Sequence, residues 1–167
     1  MKYIDIHAHF ESPQFDKDLD QVIARNIQNE IITINSGVNP ETNRKVLAQS
    51  KQYPSTLKSS FGLFPIDCIA QDLTLTSEES ELRELEVFDL DEELNWIKEH
   101  KDDCVAIGEI GLDYADEEVK NSEDLKEKQR TNFKKIIVLA KELDKPIVIH
   151  TRKAEADAIE IREESKY

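Results

Sequence analysis

Two histidines stand two residues apart near the N-terminus, in Tyr3-Ile4-Asp5-Ile6-His7-Ala8-His9. Ile4 and Ile6 alternate with Asp5, His7 and His9, a period of two that reads as a β-strand. On such a strand Asp5, His7 and His9 share one face, and two imidazoles at a strand end can chelate one metal ion. Two further runs end in polar groups of the same kind. Cys104-Val105-Ala106-Ile107-Gly108-Glu109-Ile110-Gly111 carries a carboxylate, and Pro146-Ile147-Val148-Ile149-His150 ends in a histidine, with Arg152 just beyond. Parity puts Glu109 on the face of Val105 and Ile107, and His150 on the face of Val148 and Arg152. Three imidazoles and one carboxylate at a common rim suit one divalent ion, or two bridged by Glu109. Imidazole-rich ligation favours zinc, manganese or related ions over calcium. Such ions lower the pKa of bound water and polarise a phosphoryl or carbonyl oxygen. Arg152 offers a bidentate donor to a phosphate. Asp5 is expected to orient a histidine from outside the ligand shell. Asp113 fits a loop cap or a site residue equally well. His100 ends a helical stretch, where a cation is favoured, and reads as structural.

These residues need elements to carry them. Phe15, Leu19, Val22, Ile23 and Ile27 recur at helical spacing and predict a helix over about 16–29, with Asp16 as N-cap. Residues 30–35 read as a strand. Pro40 opens a helix that ends near Tyr53-Pro54, since a missing N–H costs little at the first helical position. Residues 56–63 read as a third strand. The stretch 66–90 is the least regular, with Thr76 and Glu79 spaced as a capping box for a short helix over 76–85. A helix over 91–100, a strand over 104–111 and a polar loop over 115–122 follow. Ser122 opens a long helix to Leu143, Pro146 to His150 is a fifth strand, and a last helix runs over about 154–164. Apolar strands alternating with helices mean a parallel sheet covered by helices. His7, His9, Glu109, His150 and Arg152 all fall at C-terminal strand ends, where parallel α/β folds put their chemistry. No GxGxxG follows the first strand and no phosphate-loop sequence occurs, so a nucleotide-binding fold has no support.

The 167 residues fit one domain over 1–167. A formal net charge of −14 excludes a basic protein that coats nucleic acid. A nucleic-acid substrate would have to be met locally, by a metal site and a few Arg and Lys. No apolar run approaches the roughly 18 residues of a membrane helix. The N-terminus reads directly as a strand, so no signal peptide is expected, and the acidity reads as solvated helix faces and a cytoplasmic habit. Cys68 and Cys104 belong to no motif and suggest a reducing compartment.

Three stretches resemble the TatD family of metal-dependent hydrolases: Asp5-Ile6-His7-Ala8-His9, Gly108-Glu109-Ile110-Gly111-Leu112-Asp113-Tyr114, and Pro146-Ile147-Val148-Ile149-His150-Thr151-Arg152-Lys153. The second is the most specific, and weaker matches such as Gly62-Leu63-Phe64-Pro65 run between them. The resemblance covers essentially the whole chain. It implies a partial TIM-type (β/α) barrel of about five parallel units of eight. It implies that His7 and His9 hold a first metal, that Glu109 bridges two, and that His150 binds the second. Zinc, magnesium or manganese are the expected ions, with Glu109 and Arg152 as catalytic residues and Asp5 and Asp113 in support. The implied activity is phosphodiester hydrolysis of DNA. The alternatives are ester hydrolysis on D-aminoacyl-tRNA and a non-catalytic remnant that binds metal or a partner. Two departures stand out. Phe64 occupies a position where the family usually has a histidine. The family also continues to a histidine after a sixth strand and an aspartate at the eighth, which Asp157 and Glu160 do not match. Five strands cannot close a barrel, so the sheet is expected to stay open or be completed by a second copy or a complementing chain.

Overall fold

The computed structural model describes residues 3–74 and 85–167. The strands are β1 (Tyr3–Ala8), β2 (Ile31–Ser36), β3 (Leu57–Leu63), β4 (Cys104–Asp113) and β5 (Ile147–Arg152). All neighbours pair in parallel, in the order β1-β2-β3-β4-β5. Sequential parallel strands with helical crossovers are the first part of a (β/α) barrel, as expected. The helices are α1 (Leu19–Gln28), α2 (Pro40–Gln52), α3 (Leu90–Glu99), the one-turn α4 (Glu117–Lys120), α5 (Glu123–Glu142) and α6 (Glu155–Glu164). α1 packs on β2, α2 on β3, α5 on β4, and α6 on β4 and β5.

Local chemistry explains the helix ends. Asn39 and Thr42 form a reciprocal capping box at the start of α2, with Pro40 in the first turn. Ser122 caps α5 by accepting from the Leu125 N–H, as its position predicted. The expected start of the first helix is corrected. Pro13–Phe15 forms a 3-10 turn, and α1 begins at Leu19 after Asp18. Phe15 matched the helical spacing, but its ring packs on Phe10 at 5.1 Å instead. The polar stretch 115–122 is also more ordered than a loop. Asp116 accepts from the N–H groups of Glu118 and Val119, and Val119 is buried, so one helical turn forms. The short helix expected over 76–85 lies outside the described residues.

Phe61, Leu63, Ile107, Ile110 and Leu112 of β3 and β4 form the core with Ile97 of α3 and Phe133, Ile136 and Ile137 of α5. Burying residues of this size supplies most of the driving force for folding, roughly 1.5–3 kcal/mol for each side chain taken from water. At the sheet's end the pattern changes: Tyr3, Ile4 and Ile6 of β1 are exposed. No described helix is long and apolar enough to cross a membrane.

Candidate metal centre

The site is built where two strands gain a residue. From Ile107 to Ile110, β4 advances three positions while its partners advance two, from Phe61 to Leu63 and from Ile147 to Ile149. The extra residue lies in Gly108-Glu109. β1 does the same: Asp5 to Ala8 runs opposite Thr33 to Asn35, so its extra residue lies in Ile6-His7. A bulge re-aims the side chains beside it. The bulge therefore breaks the parity that placed Glu109 on the face of Ile107. Ile107 is fully buried in the core, while Glu109 reaches the histidines. Asp5 likewise parts company with the imidazoles. Its Oδ1 accepts from the His7 backbone N–H at 3.2 Å and so steadies the bulge rather than a ring. Glycine lets the strands approach here. A Cβ on Gly62 would lie 1.9 Å from the Gly37 carbonyl oxygen and 2.5 Å from the Glu109 nitrogen.

His7 and His9 bring their Nε2 atoms to 3.1 Å from each other. Oε2 of Glu109 lies 3.4 Å from the first and 3.3 Å from the second. Ligand atoms about 2.0–2.1 Å from a tetrahedral ion stand about 3.3 Å apart. The three donors thus form one face of such a shell, and they are the cluster among the described residues that can share an ion. The other carboxylate oxygen of Glu109 faces away from them and accepts from Nδ1 of His150 at 2.8 Å. One carboxylate therefore addresses His7 and His9 with one oxygen and His150 with the other. This is the disposition that a bridging group needs.

The neighbours of these residues fix their orientation. Nδ1 of His9 lies 3.0 Å from both Oε1 of Glu11 and the carbonyl oxygen of Ser36. A carbonyl and a carboxylate accept but do not donate, so Nδ1 carries a proton. In the neutral ring the Nε2 lone pair then points at the shared position. Oγ of Ser36 lies 3.2 Å from Nδ1 of His7. Asn35, fully buried, accepts from the Phe10 N–H at 2.7 Å and donates to Gln49, whose amide donates to the Phe10 carbonyl. Both backbone groups of Phe10 are thus held, and with them the segment from His9 to Glu11.

Asp113 is fully buried at the end of β4. It accepts from Nε2 of His150 at 2.9 Å, from Nε of Arg152 with both oxygens, and from the Ala115 N–H. Asp113 thus caps the turn at Ala115 and also touches His150 and Arg152. Arg152 is committed through Nε to Asp113. The ring of Phe64 meets that of His150 edge-on at 4.7 Å. His100 lies apart from the cluster, donating from its ring to the Trp96 carbonyl and stacking on Trp96.

Without a metal, protons and carboxylates take up the same contacts. Hydrogen bonds to Glu109 and then Glu11 raise His9 to about 10, against the effect of burial. Burial works against charge on His150, but Asp113 and Glu109 outweigh it and raise the ring to about 9. Burial also pushes Glu109 up, yet His150, His7 and His9 together hold its carboxyl well below the usual range. Asp113 is lowered in the same way, burial being outweighed by His150 and Arg152.

Every expected site residue except Asp5 therefore joins one network. Glu11, Ser36 and Asn35 were not foreseen. The available signal for Glu11 was its place two residues past His9, on the parity of the histidine pair. Ser36 acts through its backbone carbonyl, which no side-chain pattern reveals.

A family model described as TatD related DNase matches residues 4–167. An uncharacterized metal-dependent hydrolase of Methanocaldococcus jannaschii is 32% identical over 161 residues, covering 96% of this chain and 55% of that protein. A metal-dependent hydrolase of Bacillus subtilis, YabD, is 33% identical over 163 residues, covering 96% and 54%. Human deoxyribonuclease TATDN3 is 28% identical over 162 residues, covering 96% and 56%. The crystal structure of a TatD homologue from Escherichia coli, YjjV, superimposes with a TM-score of 0.75 at 24% identity, over 98% of this chain and 56% of that one. A TatD-family hydrolase from Entamoeba histolytica gives 0.74 at 24% identity, over 99% and 55%. The chain spans about half the length of the curated relatives it matches. With its strand order, its triangle of His7, His9 and Glu109 and a match from residue 4 to residue 167, this chain belongs to the TatD family.

Proposed function

We propose that this chain carries the metal-holding part of a hydrolase that cleaves phosphodiester bonds in DNA. The observation behind this reading is the triangle of His7, His9 and Glu109, with the second oxygen of Glu109 turned to His150. His7, His9 and Oε2 of Glu109 would hold one divalent ion, and His150 with Oε1 a second. Zinc, manganese or magnesium bound there would supply a water of lowered pKa and charge stabilisation at a phosphoryl oxygen. Glu109 keeps the two positions in fixed relation. Asp113 holds His150 and Arg152 on the same side of the site. From there Arg152 is assigned a phosphate oxygen of the substrate. The name of the human relative supports DNA as the substrate class. With a net charge of −14, attraction to DNA is assigned to the site rather than to the whole surface.

The reading extends to a single domain working in a reducing cytoplasm, supported by Cys68 and Cys104, both free and buried. It extends also to cover for the exposed end of the sheet at β1 by a second copy or a complementing chain. The mass in solution tests that point.

The function is tested by metal analysis together with cleavage of a 3′-tailed DNA. Metal-dependent cleavage, lost in His7→Ala and Glu109→Ala, is the expected result. Stoichiometric metal without cleavage would leave a metal-binding protein that is not an enzyme. Hydrolysis of a D-aminoacyl-tRNA in place of DNA would keep the site and change the substrate. Absence of bound metal at neutral pH, after incubation with each of the three ions, would overturn the reading.

A further inference from the structure

Glu11 is the one residue at this site whose chemistry is incomplete. It sits two residues beyond His9, and its side chain is 5% exposed. Oε1 lies 3.0 Å from Nδ1 of His9. Oε2 is buried and has no hydrogen-bond partner among the described residues. A buried carboxylate with one empty oxygen is destabilising, because burial removes the water that the free oxygen would otherwise bind. The fold nevertheless holds it in place. Phe10, between His9 and Glu11, has its backbone N–H taken by Asn35 and its carbonyl by Gln49. The segment is pinned so that Glu11 faces the side of the His9 ring opposite Glu109. The Ser36 carbonyl already accepts from the same nitrogen, so the carboxylate is not needed merely to satisfy the ring.

We infer that Glu11 is a positioning residue for the metal centre: with the Ser36 carbonyl it locks His9 as the Nδ1–H form, aims Nε2 at the position shared with His7 and Glu109, and makes that nitrogen a stronger donor. The inference rests on the metal-binding reading above. A carboxylate on the far nitrogen of a ligating histidine fixes the ring and raises its basicity. Loss of such a partner costs about 10–100-fold in metal affinity. A residue that served the fold alone would change stability but leave the zinc affinity of the folded protein and the Nδ1 resonance of His9 as they were.

Zinc affinity is measured by competition with a chromophoric chelator for the parent protein, Glu11→Leu and Glu11→Gln. The melting temperature of each metal-free protein is recorded alongside. The leucine variant is expected to bind zinc about 10–100-fold more weakly and, because Glu11 also pairs with His9 in the metal-free protein, to have a lower metal-free melting temperature near neutral pH. Glutamine keeps an acceptor but not the charge, so it should lose less than leucine and still bind measurably more weakly than the parent. In the zinc-loaded parent, the Nδ1 proton of His9 should give a slowly exchanging imidazole resonance that Glu11→Leu shifts. Parent-like zinc affinity in the leucine variant overturns the inference. If that variant does not fold, parent-like affinity in the glutamine variant overturns it instead. A parent protein that binds no zinc, manganese or magnesium defeats the metal reading itself. That failure is distinct from a metal site indifferent to Glu11.

Discussion

Glu109 and His150 are joined by a 2.8 Å hydrogen bond from Nδ1 of the ring to Oε1 of the carboxylate, and Asp113 takes the other ring nitrogen at 2.9 Å. Both partners are acceptors, so the metal-free ring is doubly protonated. A proton therefore stands where the proposed metal would need a lone pair, so metal binding there would compete with protons.

That competition fixes a pH dependence with opposite signs for folding and for binding. His9 is raised from 6.5 to about 10 and His150 from 6.5 to about 9. Their contribution to metal-free stability is complete below about pH 6.5 and is lost as the pH rises through 9 to 10. Glu109 is lowered from 4.5, so its contribution is present above pH 4.5 and disappears in stronger acid. The chelator-treated protein should melt highest between about pH 5 and 6.5. Metal affinity should instead rise with pH above that range, with protons released on binding. Melting curves across pH and calorimetry in buffers of different ionisation enthalpy measure the two trends.

Replacing Glu109 by Gln removes the carboxylate that faces both metal positions at nearly constant shape. On the proposed two-metal reading, metal content should fall from two ions to at most one per chain. Any hydrolytic activity should fall by more than the roughly 10–100-fold typical of losing an outer partner of a ligand. Elemental analysis and initial rates on the same samples test this together.

Asp113 and Arg152 form a pair with unequal exposure: Asp113 is fully buried, and the Arg152 side chain is 39% exposed. Asp113→Asn leaves His150 and Arg152 without their charged acceptor and should destabilise the protein by about 2 kcal/mol. Arg152→Ala removes a partly solvated partner and leaves His150 on Asp113, so it should cost less than that, about 1 kcal/mol. If Arg152 meets substrate phosphate, the alanine variant should lose substrate affinity out of proportion to that small change. Urea unfolding and Michaelis–Menten analysis separate the effects.

Asn35→Ala removes a buried amide that holds the Phe10 N–H and Gln49. Leaving those groups unpaired should cost about 1–3 kcal/mol. The segment from His9 to Glu11 should loosen, so zinc affinity should fall along with stability. A stability loss with parent-like zinc binding would show that the clamp serves the fold and not the site.

The alternation of Ile4 and Ile6 with His7 and His9, and the apolar runs ending at Glu109 and His150, specify parallel strands with polar groups at their C-terminal ends. Because strand ends gather at one rim, the sequence by itself determined the architecture and which polar residues meet at that rim. It also determined most helix starts, since capping by Asn39 and Ser122 depends on neighbours in the chain. Tertiary structure decided the aim of the side chains. Register is a property of two strands, so the bulges that turn Glu109 away from the face of Ile107, and His7 away from that of Asp5, leave no mark in one strand's pattern. The same holds for Ser36, whose backbone carbonyl meets His9 across 27 residues of chain, and for Asp113, which meets His150 and Arg152 of β5 and Gln129 of α5. Periodicity records which residues can be buried together; only the paired backbones fix which atom faces which.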